Sequence, residues 1–326
     1  MIGPSPQAWN GRLWVPNTGG KMAQPLPFAK RLQHRVEYVA AKVIIVSCGF
    51  LPLPLLRRIG AVLGWLAFRV VRIRRRIVMQ HIRISFPGMD HRLAAAVAAE
   101  SYQHIGRSLM EMLAFRKISE QALLDMVTIE GLGNLDEALA GGKGAILFTG
   151  HFGNWELLGA VIARCGYPLH VTDTNHTNQY AHKIINELRG AQGMRVIAPT
   201  QPVSYLLGLL SQNQFIAYLA DQDAGSHGVF VDFFGRPAST LRGPALFAIR
   251  KGCPIVPGFL IREGCDSHRA IFAGPIWPSP TLAGREAVVD LTQRYTRLLE
   301  DTVRRHPQMY FWLHRRWKTK PAVNRR

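Results

Sequence analysis

A histidine and a glutamate lie close together in a glycine-containing segment near the middle of the chain, Gly150–Glu156. The segment follows Ala145–Thr149, an apolar run typical of a buried strand. Asn154 is a good helix N-cap, so a turn is expected to join this strand to a helix that begins at Trp155. His151 should therefore lie just past the carboxyl end of a strand, where open α/β sheets bind their ligands.

The two side chains have the types that general-base catalysis needs. On a continuous helix His151 and Glu156 would point about 140° apart. The intervening turn instead lets the histidine fold back and meet the glutamate. A carboxylate that holds a histidine fixes its tautomer and stabilises the imidazolium. The spacing alone is weak evidence, but the glycines and the preceding strand strengthen it.

The expected nucleophile is a hydroxyl on the substrate. No Gly-x-Ser-x-Gly elbow and no neighbouring cysteine accompany His151. Direct transfer is thus favoured over a covalent enzyme intermediate. Arg189 and the backbone N–H groups of the Gly150–Asn154 turn are both candidate donors to a tetrahedral oxyanion, and the sequence does not decide between them.

We expect neither a metal nor an organic cofactor. Asp221 and Asp223 lack the third acid that a Mg²⁺ or Mn²⁺ site needs. The histidines between 170 and 182 do not have zinc-ligand spacing. The glycines at 131–133 and 141–144 form neither a dinucleotide fingerprint nor a P-loop.

Apolar runs and helical periodicity alternate after residue 115, following an alanine-rich helix expected over 91–115. The predicted strands are Ala145–Thr149, Leu169–Thr172, Arg195–Ala198, Phe215–Leu219, Ile255–Ile261 and Ala270–Ala273. The predicted helices between and after them are Trp155–Arg164, Asn178–Arg189, Pro202–Ser211, Leu241–Lys251 and Arg285–His306. Such alternation predicts an α/β fold with a mostly parallel or mixed sheet covered by helices on both faces.

The charge of the chain indicates a polyanionic partner. Lys and Arg number 40 against 21 Asp and Glu, which gives a formal net charge of +19. Between Glu37 and Asp90 there is no acidic residue, whereas nine basic residues fall there together with the apolar runs Val43–Leu56 and Ile59–Phe68. A segment that is both basic and apolar fits an anionic bilayer better than nucleic acid.

These patterns divide the chain into a tail, an N-terminal segment and a catalytic domain. Residues 1–21 have no apolar periodicity and are expected to be a disordered tail, with Met22 a plausible true start. Residues 22–90 are expected to form a helical membrane-associating segment. Its uncharged runs are shorter than the roughly 18 residues of a confident span, so a membrane hairpin, an interfacial helix pair, a tilted span and buried core helices all remain open. Residues 91–326 are expected to form the α/β domain, and the four cysteines are expected to be reduced packing residues.

The segment His151–Glu156 resembles the signature of the bacterial lipid A late acyltransferases, the lauroyl/myristoyl transferases, within the glycerolipid acyltransferase superfamily and its His-x4-Asp/Glu motif. Ala220–Asp223 is similar to the Asp-x-Asp block of that family, Phe233–Thr240 to the block that follows, and Trp312–Lys318 to its closing Trp-x-His-Arg-Arg motif. Ile82–Pro87 resembles a further Asn-Leu-x-x-x-Phe-Pro segment, although His-Ile replaces Asn-Leu. The resemblance covers about residues 35–320.

The resemblance implies an acyltransferase at the cytoplasmic face of a cell inner membrane, with no cofactor. It implies a fatty acyl donor that is an acyl carrier protein thioester (or acyl-CoA), and a phosphorylated glycolipid acceptor, a lipid A precursor. His151 would be the base and Glu156 its orienting partner. The substrate-binding residues implied in this way are Asn154, Arg189, Asp221, Arg236, Thr240, Arg315 and Arg316.

Two alternatives stay open at this point. An acyltransferase for another membrane acceptor, such as a phosphoinositide mannoside or an aminolipid, would carry the same motifs. A non-enzymatic basic protein that binds membranes or nucleic acid would explain the charge but would give His151 and Glu156 no task. The basic residues beside Trp312 and Trp317 are expected to clamp lipid phosphates or to dock an acidic carrier protein.

Overall fold

Seven strands form the main sheet of the computed structural model, in which residues 28–172 and 179–321 are described. Their order is β1-β9-β8-β2-β5-β3-β4, and a separate hairpin pairs β6 with β7. The strands are β1 (Val127–Glu130), β2 (Ala145–Thr149), β3 (Leu169–Thr172), β4 (Arg195–Ile197), β5 (Phe215–Leu219), β6 (Val229–Phe233), β7 (Arg236–Thr240), β8 (Ile255–Glu263) and β9 (Ser267–Phe272). The five strands from β8 to β4 are parallel, and β9 is antiparallel to β8 and parallel to β1.

Helices fill most of the connections between the strands. They are α1 (Phe28–Phe50), α2 (Leu53–Leu66), α3 (Arg75–Ser85), α4 (His91–Leu113), α5 (Glu120–Asp125), α6 (Gly133–Ala140), α7 (Trp155–Arg164), α8 (Gln179–Ala191), α9 (Val203–Ser211), α10 (Gly243–Lys251) and α11 (Gly284–Arg305). A π-helical turn, Ala67–Val71, extends α2. The predicted sheet class is confirmed, and β2, β3, β5 and α7 have the bounds that the sequence predicts.

Both faces of the sheet are buried, as the sequence predicts. On β2, Ile146 and Phe148 pack into one hydrophobic cluster, whereas Ala145 and Leu147 pack into the other. Neighbouring β5 alternates in the same way. Strands buried on both sides read as continuous apolar runs, which is why their sequences predict them well.

The strand β1 and the hairpin β6–β7 were not predicted. The hairpin strands have five residues each, and Pro237 in β7 argues against a strand. The hairpin tolerates this proline because, among the described strands, β7 pairs with β6 alone. Both elements depend on their tertiary partners rather than on a strong local pattern.

The described part of the expected N-terminal segment is helical, and α2 packs closely along α4. A Cβ on Gly60 would lie 2.3 Å from the carbonyl oxygen of Gly106, and one on Gly64 would lie 2.2 Å from that of Tyr102. Glycine at these points lets the two helix backbones approach. Within the described residues no helix has the length and apolar character to cross a membrane. The expected tail, 1–21, and the proposed start at Met22 lie outside the described residues.

The four cysteines are unpaired in the structure. Cys48 and Cys253 are buried and Cys165 is partly buried, as expected of packing residues. Cys265 is exposed, so the expectation of a packing role is wrong for this residue.

Candidate active site

The turn after β2 holds His151 in place by close backbone packing. Gly153 has a φ of +58°, in the left-handed region that favours glycine. A Cβ on Gly153 would lie 1.7 Å from the carbonyl oxygen of Leu260. Asn154 then caps α7, because its side-chain oxygen accepts from the Leu157 N–H at 3.1 Å. The strand, turn and capped helix agree with the sequence prediction.

His151 is held by the carboxylate of Asp221. Its ring Nδ1 lies 2.7 Å from Oδ1, and its backbone N–H donates to Oδ2 at 2.9 Å. The two residues meet because β2 and β5 are parallel neighbours, so their carboxyl ends lie at the same edge of the sheet. Burial on its own would raise the pKa of the Asp221 carboxyl, but His151 outweighs it and the pKa lies below its ordinary value.

The expectation that His151 contacts Glu156 is wrong. Both oxygens of Glu156 accept from Arg189, with Nε at 2.9 Å and Nη2 at 2.7 Å. His151 lies before the helix and faces the end of β5, whereas Glu156 is the second residue of α7 and faces α8. The residues that the sequence singled out therefore form two neighbouring hydrogen-bonded pairs, His151–Asp221 and Glu156–Arg189.

The other ring nitrogen of His151 is the one that can exchange protons with a substrate. With Nδ1–H donated to a carboxylate, Nε2 carries the free lone pair. The His151 side chain is 22% exposed, against 2% for Asp221. The rings of Trp155 and Phe311 lie 5.0 and 5.9 Å from it, and the Gln222 amide nitrogen lies 3.3 Å from Nε2.

Two of these neighbours were missed by sequence reasoning. Gln222 stands inside the Ala220–Asp223 block that the resemblance singled out, so its place in the motif was an available signal. Phe311 reaches the site because its N–H donates to the His151 carbonyl at 2.9 Å. Nothing in the sequence around it indicates this long-range pairing.

The turn's own N–H groups are largely occupied. That of His151 donates to Asp221, that of Phe152 to the Gly150 carbonyl at 2.7 Å, and that of Gly153 to the Met309 carbonyl at 2.9 Å. These three groups do not fit the expectation that the turn supplies oxyanion donors. Their bonds fix the shape of the turn instead.

A buried ionic cluster contacts the turn through Asn154. The carboxylate of Glu111 accepts from the Asn154 amide at 2.7 Å, from the Arg57 Nε at 2.5 Å and from Arg262 at 2.6 and 2.8 Å. Burial alone would raise the pKa of Glu111, but the bonds and charges of Arg262, with His268 and Arg57, lower it to about 2. Sequence reasoning missed this cluster, since its members come from α2, α4 and β8.

Asn154 belongs to this support rather than to a substrate surface. It is 2% exposed, and both ends of its amide are bonded within the protein. The expectation that it binds substrate is therefore wrong for this structure. Its amide couples the α7 cap to the ionic cluster.

Arg316 and Thr240 are also internal. Arg316 is 2% exposed, donates to the Ser239 carbonyl at 2.6 Å and bonds the Thr240 hydroxyl. These contacts do not fit the expected clamping of substrate phosphates. Arg315 and Arg236 are exposed and remain available to a ligand.

The acids at 221 and 223 face different partners. Asp223 accepts from the backbone N–H of Thr319 at 3.1 Å and from its hydroxyl at 2.8 Å, which is a loop-capping role. Across the described part of the chain, no group of three or more histidine, cysteine or acidic side chains is placed to hold a metal.

Comparison with known proteins shows which family the chain resembles. The model of the family described as bacterial lipid A biosynthesis acyltransferase matches residues 26–319. The lipid A biosynthesis palmitoleoyltransferase of Escherichia coli (strain K12) is 24% identical over 275 residues, which cover 83% of this chain and 88% of that protein. The lauroyltransferase of the same strain is 25% identical over 276 residues, 83% of this chain and 88% of that protein.

The chain is also similar to a relative whose name gives a different acceptor. The phosphatidylinositol mannoside acyltransferase of Mycobacterium tuberculosis (strain CDC 1551 / Oshkosh) is 28% identical over 234 residues, which cover 70% of this chain and 71% of that protein. Since the family match spans nearly the whole chain, the non-enzymatic alternative is not supported. The chain is an acyltransferase and belongs to the bacterial lipid A biosynthesis acyltransferase family.

Proposed function

We propose that this enzyme transfers a fatty acyl group from a thioester to a hydroxyl of a phosphorylated glycolipid, a lipid A precursor, with His151 as the general base. The observation that carries the proposal is the Asp221–His151 pair, in which a carboxylate binds Nδ1, while Nε2 meets only the neutral Gln222 amide, which a substrate hydroxyl can displace. This is the arrangement of a serine-protease triad in which the substrate supplies the hydroxyl.

The reaction balances with the residues present. The acceptor O–H gives its proton to His151 Nε2 while its oxygen attacks the thioester carbonyl. The tetrahedral intermediate then collapses with cleavage of the C–S bond, and the imidazolium returns the proton to the leaving thiolate. The products are an ester and a free thiol. The Asp221 carboxylate stabilises the imidazolium between these two transfers.

General-base help of this kind contributes roughly 10²- to 10⁴-fold, so orientation and oxyanion stabilisation must supply the rest. Arg189, held by Glu156, remains a candidate donor to the oxyanion. The Gln222 amide, 3.3 Å from Nε2, is a second candidate because it lies beside the position where the reacting hydroxyl must sit.

The donor in this proposal is an acyl carrier protein thioester, with acyl-CoA as the alternative. The lipid A precursor is favoured as acceptor by the family match and by the names of two of its relatives. A phosphoinositide mannoside is the second candidate acceptor, since one relative at 28% identity has that named substrate.

We also propose that the enzyme works at the cytoplasmic face of the inner membrane, against an anionic bilayer. Support comes from large apolar side chains that are exposed on the N-terminal helices. They are Val36, Val39, Val43, Ile44, Val46 and Phe50 on α1, Leu55, Val62, Leu63, Trp65 and Leu66 on α2, and Val70, Val71 and Ile73 after it. An exposed apolar surface of this extent, in a segment with nine basic residues and no acidic residue between Glu37 and Asp90, suits the headgroup boundary of a bilayer.

The test is lipid mass spectrometry combined with purified enzyme. Cells that contain the wild-type protein should show a lipid A species one acyl chain heavier than cells that contain His151→Ala. Purified wild-type enzyme should perform the same transfer from acyl carrier protein thioester, and His151→Ala should lose at least a hundredfold in kcat with an unchanged circular dichroism spectrum. Near wild-type transfer by His151→Ala would refute the mechanism, and acylation of phosphoinositide mannoside in place of lipid A would refute the acceptor.

A further inference from the structure

A concave, strongly basic groove opens beside α3, separate from the residues that surround His151. Its volume is about 1090 Å³, the upper end of ordinary ligand sites. We call it the arginine groove, after six lining residues: Arg72, Arg74, Arg75, Arg76, Arg83 and Arg236. Methionine, isoleucine, proline, glutamine and histidine side chains complete its wall, and no acidic residue lines it.

Two elements from distant parts of the sequence build the groove. Arg76 and Arg83 are seven residues apart on α3, two turns along one helix face. Arg236 comes from the start of β7 and contributes a charge from the hairpin. The groove is thus a tertiary feature, and the sequence run 72–76 supplies only one part of it.

The backbone at the mouth of the groove is strained. Arg72 has a φ of 59° and Arg74 a φ of 48°, both in the left-handed region that residues with a side chain rarely adopt. Arg74 is the N-cap residue of α3 and makes no side-chain capping bond. Such strain persists where the surrounding structure holds it, and it is concentrated at ligand sites.

The charges of the groove lack protein counter-charges. Among the described residues, no carboxylate forms an ion pair with any of the six arginines. Arg74 donates to the Leu313 carbonyl at 3.2 Å, and Arg75 lies 4.6 Å from the centre of the Phe68 ring. The first turn of α3 has no acid, so the positive end of the helix dipole adds to the same field. A field of one sign in a concave site favours an anion with several acceptor oxygens.

The groove is joined to the catalytic turn through one short segment. Phe311 bonds the His151 carbonyl, and Leu313 bonds Arg74. Two residues of extended chain span at most about 7 Å. The segment from Phe311 to Leu313 therefore contacts both the turn that carries His151 and Arg74 of the arginine groove.

We propose that the arginine groove binds the phosphate group of the acceptor headgroup and thereby delivers the acceptor hydroxyl to His151. This inference rests on the proposed function, because it takes the acceptor to be a phosphorylated glycolipid. The groove is concave and is lined by six arginines, which suits a compact phosphate better than a flat layer of lipid headgroups. An acidic carrier protein and bulk anionic lipid are the alternative occupants that the experiment must separate.

The test compares a groove variant, Arg83→Gln/Arg236→Gln, with a control variant, Arg250→Gln/Arg297→Gln. Each double variant removes two charges from exposed side chains, and the control pair lies on α10 and α11, outside the groove. The groove variant should raise the KM for phosphorylated acceptor at least tenfold while kcat and the KM for the thioester donor stay within twofold. With enzymatically dephosphorylated acceptor, groove variant, control variant and wild type should have similar KM values.

Three results would overturn the inference. A raised KM for the carrier protein thioester instead of the acceptor would assign the groove to carrier docking. An equal loss on dephosphorylated acceptor would show that no phosphate is bound there. Reduced flotation of the groove variant alone, with vesicles of phosphatidylcholine and phosphatidylglycerol that lack acceptor, would assign the groove to bulk lipid.

A binding measurement separates this inference from the proposed function. Inorganic pyrophosphate should raise the thermal midpoint of wild type and of the control variant, and should do so much less for the groove variant. If wild type bound pyrophosphate through the groove but transferred no acyl group to a lipid A precursor, the proposed acceptor would be wrong and the phosphate site would stand. Equal stabilisation of all three proteins would reject the site.

Discussion

At His151 two hydrogen bonds to one buried carboxylate decide which ring nitrogen meets the substrate. Nδ1 and the backbone N–H are both bound to Asp221, so the ring cannot rotate without breaking the first of these bonds. The adjacent Glu156–Arg189 pair is two-pronged and charge-assisted, and such pairs fix a guanidinium in one plane. The structure therefore orients both the proposed base, His151, and a neighbouring cation, Arg189.

Asp221→Asn should lower kcat for acyl transfer roughly 10²- to 10⁴-fold, because an amide neither stabilises the imidazolium nor fixes the productive tautomer. The KM values should change little, since Asp221 is buried away from the substrates. Steady-state kinetics on the purified variant provide the measurement.

Asp223→Asn is the matched control. It makes the same change two residues away, at an acid that accepts hydrogen bonds from Thr319 and not from His151. Its kcat should stay within a few-fold of wild type. If Asp221→Asn were as active as Asp223→Asn, the carboxylate would not assist the base.

At the scale of elements, α2, α4 and β8 meet next to the turn that carries His151. Arg57 of α2, Glu111 of α4 and Arg262 of β8 form a buried cluster that reaches Asn154 at the start of α7. The same helix α2 presents exposed apolar side chains on its outer surface. The N-terminal helices are therefore packed and bonded to the catalytic domain and are not a detached anchor.

Glu111→Gln should lower the free energy of unfolding by about 3–5 kcal/mol, because it leaves the buried Arg262 guanidinium without an ionised partner and leaves Arg57 with only the exposed Asp266. Denaturant titration with circular dichroism measures this loss. Activity per folded molecule should also fall, since the Asn154 amide must then compete with Arg57 and Arg262 for the one side-chain oxygen that remains.

Asp266→Asn is the control for that variant. Asp266 also bonds Arg57, at 2.5 Å, but its side chain is 60% exposed. Its removal should cost less than about 1 kcal/mol. A loss in Glu111→Gln no larger than in this control would show that the cluster does not support the fold.

Over the whole molecule, buried ionisable groups make the fold sensitive to acid. Burial is the main cause that lowers the pKa of His104 to about 3 and the pKa values of His268 and His314 to about 4. The unfolded chain takes up protons at these histidines near its ordinary pKa of about 6.5, whereas the folded protein does not. Their contribution to stability is thus complete above about pH 6.5 and is lost as the pH falls towards the folded values.

The thermal midpoint should therefore decline steadily from pH 7 to pH 5, before the carboxylates begin to titrate. Differential scanning calorimetry across this range measures the decline. His268→Asn should make the decline of the thermal midpoint with falling pH less steep, because one buried group no longer takes up a proton on unfolding. A midpoint that is constant between pH 7 and pH 5 would contradict the assignment of these histidines as buried and neutral.

The proposed membrane attachment involves the whole N-terminal surface, so its test belongs at the scale of the molecule. Leu63→Gln/Val70→Gln changes two exposed apolar side chains and should reduce flotation with anionic vesicles several-fold without altering the fold. Leu93→Gln/Leu109→Gln makes the same change at exposed positions of α4 and serves as the control. Equal flotation of the two variants would place the attachment elsewhere, for instance near the exposed Arg315.

The sequence by itself determined the sheet class, most strand positions and the strand–turn–helix unit that carries His151. These features follow from local patterns: continuous apolar runs, helical periodicity, a capping asparagine and a glycine at a left-handed turn. The motifs around residues 151, 221 and 312 likewise indicate the family.

Only the tertiary structure decided which charged groups pair. The partner of His151 is 70 residues away on the next parallel strand, and the partner of Asn154 is 43 residues away on α4. Arg316, which reads as a surface cation, is buried against β7. Sequence patterns report the conformation of a segment and the face it buries, whereas strand order and helix packing determine which side chains of distant segments meet.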